Sequence, residues 1–87
     1  MDLHHPIVRE FPEHRELILR LKVGDERFRK MFDEYHQVDD AVYRIEEEID
    51  FASDQEFEEL RMKRARLKDL LYYAILKAAP PRKTSAA

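Results

Sequence analysis

Apolar side chains recur every three or four residues along most of this chain. From Phe28 they continue through Met31, Tyr35, Val38, Val42, Ile45 and Ile49, in steps of 3, 4, 3, 4, 3 and 4. This is the a/d rhythm of a coiled-coil helix, and it predicts a helix over about 26–50. Phe32 widens the stripe on one side. A second stripe, Phe57, Leu60, Arg64, Leu67, Leu71, Ala74 and Ala78, keeps the same spacing and predicts a helix over about 54–78, with Leu70 and Ile75 beside it. Arg64 stands where an apolar residue belongs. Its stem is expected to lie along the seam while the guanidinium reaches water. Leu17, Ile18 and Leu21 form a shorter stripe and predict a first helix over about 12–23.

The breaks between stripes carry their own chemistry. Pro12 suits the first position of a helix, where its missing N–H costs nothing. Gly24 suits the left-handed position just past a helix end, and Asp25 the cap of the next helix. Ser53-Asp54-Gln55-Glu56 reads as a capping box: the Ser53 hydroxyl accepts from the Glu56 N–H, and the Glu56 carboxylate reaches back to the Ser53 N–H. Pro80-Pro81 ends the last helix. Residues 1–10 read as a leader without period, 11–79 as one helical domain, and 80–87 as a disordered tail.

A short break around Phe51-Ala52-Ser53 makes the two long helices antiparallel neighbours. The fold class is therefore all-α: a short N-terminal helix followed by a long antiparallel two-helix coiled-coil hairpin. The hairpin seam is expected at Phe28, Met31, Tyr35, Val38, Val42, Ile45, Ile49, Phe57, Leu60, Leu67, Leu71 and Ala74. In this register Asp39 lies near Lys68, Glu46 near Arg61, and Phe32 beside Ile75.

Charge sharpens that picture. Residues 1–60 carry 18 acidic and 8 basic side chains, a formal −10, whereas residues 61–87 carry 1 acidic and 8 basic, a formal +7. The split reads as self-complementarity across the hairpin, with Asp39–Lys68 and Glu46–Arg61 setting the register. Each exposed pair is worth only about 0.2–1 kcal/mol. The overall charge of −3 argues against a dedicated nucleic-acid binder. No apolar stretch reaches the roughly 20 residues of a membrane span, and the start lacks the basic and apolar regions of a secretory signal. A soluble cytoplasmic protein is expected, with no membrane association.

Phe11-Pro12-Glu13-His14-Arg15-Glu16-Leu17-Ile18, then Arg20-Leu21-Lys22, then Asp25 with Phe28 and Phe32, resemble the opening of the YdcH family of small bacterial proteins. Val38-Asp39, Arg44-Ile45-Glu46 and Arg66-Leu67-Lys68-Asp69 resemble its later landmarks, with Val38 in place of a leucine. The resemblance covers roughly residues 8–77. It implies a helical hairpin in a bacterial cytoplasm, and it carries over no activity, cofactor or catalytic residue, because the family is a domain of unknown function.

The candidate chemistry is sparse. His4, His5, His14 and His36 lack any Cys or HExxH companion, so no metal site is expected. Glu46-Glu47-Glu48 point in different directions on a helix, and their plain reading is a solvated acidic tip; the sharper one is a docking tip for a basic partner. Arg61, Lys63, Arg64, Arg66 and Lys68 are spread around their helix and are expected mainly in ion pairs. Catalytic residues, cofactors and metals are all expected to be none. The function expected is a non-catalytic helical interaction or regulatory protein acting through protein–protein contacts. The alternative is an RNA- or nucleic-acid-associated factor using the basic face of residues 61–68. Phe32, Leu70, Tyr72 and Ile75, with Lys63 and Arg66, form the possible partner surface. A small chain with a thin core gains from self-association, so a homo-oligomer is expected, a dimer before others.

Overall fold

The computed structural model describes residues 4–79. They form four α-helices: α1 (Ile7–Glu10), α2 (Arg15–Gly24), α3 (Glu26–Glu46) and α4 (Asp54–Ala78), with a 3-10 turn at Pro12–His14 between the first two. No strand occurs among the described residues. α3 and α4 pack side by side as an antiparallel hairpin, and α2 lies against α3. The molecule is a rod 53 Å long and 28 by 23 Å across. No helix among the described residues is long and apolar enough to cross a membrane. The expected tail at 80–87 lies outside the described residues.

The capping residues act on the helices they precede. The Asp25 carboxylate accepts from the Phe28 N–H at 3.1 Å and starts α3. The Ser53 hydroxyl accepts from the Glu56 N–H at 3.1 Å and starts α4. The return half of this box differs from the expectation. The Glu56 carboxylate accepts a hydrogen bond from the Ser53 hydroxyl, at 3.0 Å, rather than from the Ser53 backbone N–H.

Three local expectations are corrected. The helix expected over 12–23 is α2 and begins at Arg15, because Pro12 and its neighbours close a tighter 3-10 turn. Gly24 is the last residue of α2 and does not take a left-handed conformation. α3 ends at Glu46 rather than near Asp50. Its end is a Schellman motif: Glu48 N–H donates to the Ile45 carbonyl at 3.0 Å, and Ile49 N–H to the Arg44 carbonyl at 2.8 Å. The left-handed position of this motif is filled by Glu48, with φ 59°. A glycine would have signalled that end; a glutamate does not. Ile49 is thereby turned out of the seam and is exposed.

The earlier end of α3 moves the register by about one helical turn. Asp39 pairs with Arg64, not Lys68, at 3.0 Å. Glu34 pairs with Lys63 at 3.1 Å. Arg61 reaches Glu58 within its own helix at 3.8 Å, instead of Glu46 across the seam. Arg64, expected to point past the seam to water, instead turns inward to Asp39.

The core holds Phe28, Tyr35, Val38 and Val42 from α3 with Leu67, Leu71 and Ile75 from α4. Met31, Phe57, Leu60 and Ala74 pack partly buried around it, and Ile45 is half-buried. Two further core members, Ile7 and Ile18, come from the N-terminal residues. The leader is thus corrected as well: Ile7 is fully buried inside a short helix. The sequence gives no sign of it, because the few apolar residues of this stretch follow no period.

Candidate interaction surfaces

Asp39 organises the interior. It is 1% exposed, and a buried carboxylate is tolerated only when its oxygens are satisfied. One oxygen accepts from Arg64 Nη1 at 3.0 Å and the other from the His5 backbone N–H at 2.9 Å. Tyr35, one turn earlier on the same face, donates its hydroxyl to the His5 carbonyl at 2.7 Å. Both backbone groups of His5 are therefore held by α3. His36 Nε2 accepts from the Ile7 N–H at 3.3 Å, which leaves Nδ1 to donate to the Phe32 carbonyl at 2.7 Å. Lys68 reaches across from α4 to Glu10 at 2.5 Å. His4 stacks on Tyr43 with ring centres 4.0 Å apart, and Phe11 on Tyr72 at 4.8 Å.

Electrostatics follow this geometry. The hydrogen bond from Lys68 holds the Glu10 carboxyl below its usual range, against the opposing effect of burial. Burial, reinforced by the negative charge of Asp39, pushes the Tyr35 phenol well above its usual value. A cleft of about 410 Å³ opens beside the network, bordered by His5, Glu10, Tyr35, Arg64 and Lys68. Each of these five is already engaged with a partner. Their chemistry is that of a clamp that straps residues 4–11 across the hairpin.

At the opposite end no such strap is formed by the described residues. Between Glu46 and Asp54 the chain makes its turn, and Phe51 stands 93% exposed at its apex. Carboxylates surround it: Glu46, Glu47, Glu48 and Asp50 before, Asp54 and Glu56 after. The turn is built rather than loose. Arg44 Nε donates to Asp50 at 2.8 Å, beside a second guanidinium bond at 3.3 Å, and the Asp50 N–H donates to the Arg44 carbonyl at 3.1 Å. That fork holds the Asp50 carboxyl below its usual range. With the Schellman motif on one side and the Ser53 cap on the other, Phe51 projects from a backbone tied at both ends.

The residues expected to form a partner surface separate. Ile75 is fully buried, because the N-terminal residues complete the core at this end; the expectation that it stays uncovered is corrected. Phe32 is half-buried, with the Lys22 ammonium 5.0 Å from its ring centre. Tyr72 rests against Phe11 and remains partly exposed, and Leu70 is exposed. Lys63 is paired to Glu34, while Arg66 lies on the exposed side of α4. Phe51, Met62 and Tyr73 lie outside every apolar stripe and are exposed.

Comparisons with curated proteins and with solved structures returned no match. One family model matches, over residues 28–74, the span from the start of α3 through most of α4. That is more than half of the chain and contains the whole hairpin turn, in keeping with the resemblance to YdcH proteins. The chain belongs to the family described as "Protein of unknown function (DUF465)".

Proposed function

We propose that this is a non-catalytic interaction protein of the bacterial cytoplasm, which docks its acidic tip on a basic partner protein. The observation that carries the reading is Phe51, almost fully exposed on a turn pinned by the Arg44–Asp50 fork and the Ser53 cap. An aromatic side chain on a fixed backbone loses little freedom on binding and makes an effective anchor. The carboxylates around it steer approach toward a positive surface and repel a negative one. The complementary site is an apolar pocket rimmed by Lys and Arg.

The nucleic-acid alternative has less support. In the basic segment, Arg61, Lys63, Arg64 and Lys68 are each within 4 Å of a carboxylate. Pairs of this kind leave little positive potential for phosphate.

The test is affinity capture from a bacterial extract, comparing the wild type with Phe51→Ala at low and high salt. The expected result is a retained protein that is lost with the variant and weakened by salt. Equal retention by both baits, or no retained protein with either, overturns the proposal.

A further inference from the structure

α4 carries a second surface, independent of the tip. At 3.6 residues per turn, Met62 lies diametrically opposite the buried line of Leu60, Leu67 and Leu71. Met62 is 60% exposed and Tyr73, on the same line, 67%. Between and around them, Gln55, Glu58, Arg66 and Asp69 share the face, and all are exposed. The order of charge along it is acidic before Met62 and basic just after.

We propose that this face pairs with the same face of a second copy, the two α4 helices running antiparallel about a two-fold axis at Met62. The symmetry matches the elements between Gln55 and Asp69 to their complements. Glu58 meets the partner subunit's Arg66, and by the same operation Arg66 meets the partner's Glu58. Gln55 lies level with the partner's Asp69, an amide donor against a carboxylate. Met62 meets its own image at the centre. A two-fold contact needs such self-complementarity, and the other arrangements lack it. Sliding by one heptad sets Glu58 beside the partner's Glu59 in one direction, and Met62 against the partner's Asp69 in the other. A parallel pairing sets Glu58 on the partner's Glu58 and Arg66 on the partner's Arg66. Like charges in contact select against the first and the last, and the second sets the apolar Met62 against a carboxylate. The hairpin supports the pairing by anchoring α4 along its far side through Leu67, Leu71 and Ile75.

The chain contains no cysteine, so single cysteines report contacts directly. Met62→Cys in purified full-length protein is expected to oxidise to a disulfide-linked dimer, whereas Lys30→Cys, on the exposed side of α3, stays monomeric. A mixture of Glu58→Cys and Arg66→Cys proteins is expected to give the mixed dimer ahead of either self-linked one. By light scattering at about 100 µM, where a micromolar complex is mostly associated, the wild type is expected to be dimeric. Arg66→Glu is expected to weaken association about tenfold, from two like-charge contacts per dimer, and Glu58→Arg with Arg66→Glu to restore it. These positions are exposed, so an unchanged helical circular-dichroism spectrum verifies that each variant is folded. A monomeric wild type, equal cross-linking at positions 62 and 30, or failure of the double swap overturns the proposal. These measurements use purified protein with the tip intact, so they stand or fall separately from capture through Phe51.

Discussion

The two ends of the hairpin are made of the same kinds of residue and treat them in opposite ways. At the open end, residues 4–24 fold back and cover the seam. There Ile75 is fully buried and Tyr72 has Phe11 stacked on it, and along the middle of the hairpin Asp39, Glu10, Arg64 and Lys68 are joined in pairs. At the turn end none of the described residues folds back over the chain, so Ile49 and Phe51 face water beside a cluster of carboxylates. The contrast teaches that two helices alone do not bury a sufficient core in a chain of 87 residues. A third layer is needed, and among the described residues it is supplied on one side. The uncovered end therefore contributes little to stability, and its residues are left to be judged by what they offer to a partner.

That contrast is open to direct attack. The largest effect is expected from Asp39→Ala, which leaves Arg64 charged and the His5 N–H without its acceptor. A loss of about 3–5 kcal/mol is expected by denaturant unfolding, as for other broken buried pairs. A loss below 1 kcal/mol would mean that the strap is held by apolar contact alone. Ile18→Ala removes a fully buried side chain from the covered end and is expected to cost about 2–5 kcal/mol. The matching change at the turn, Phe51→Ala, is expected to stay within about 0.5 kcal/mol. Comparable losses for the two would erase the distinction between the ends.

Glu48→Gly is expected to raise the melting temperature, with a gain of up to about 1 kcal/mol, because glycine takes the left-handed position of the Schellman motif without a Cβ penalty. The smallest effect concerns acid. The folded Glu10 carboxyl titrates below its ordinary value of 4.5. Its contribution is therefore complete above about that pH and fades as the pH falls through the lower folded value. Unfolding of Glu10→Gln across the acid range is expected to show a shallower loss than the wild type. Parallel curves would remove Glu10–Lys68 from the account of the strap.

The hairpin was legible because its helices repeat a period many times, and because Asp25 and Ser53 announce their starts in the residue types that capping requires. Its register was not legible. That depended on where α3 stops, and Glu48 hides a helix end that glycine would have marked. Asp39 gave no sign of burial either, since a carboxylate next to a seam position ordinarily reaches water. What keeps it inside is the His5 backbone, a partner 34 residues away in sequence. The tip was legible as acidic, but the prominence of Phe51 came only from the early end of α3. The outward line on α4 was not legible, because an exposed stripe of Met, Arg and Tyr has no uniform polarity for a periodicity to detect.

The strap also sets an order of events in time. The hairpin joins residues that are near in sequence, whereas Lys68 and Glu10 are 58 positions apart. Closing so long a loop costs chain entropy before any contact returns it. Docking of residues 4–11 is therefore expected to be the last step of folding and its release the first step of unfolding. In native-state hydrogen exchange the amides of His5 and Ile7 should open well before those of α3 around Val42. Each such opening briefly uncovers Tyr35 and Asp39, so the covered end spends a small fraction of its life resembling the bare one.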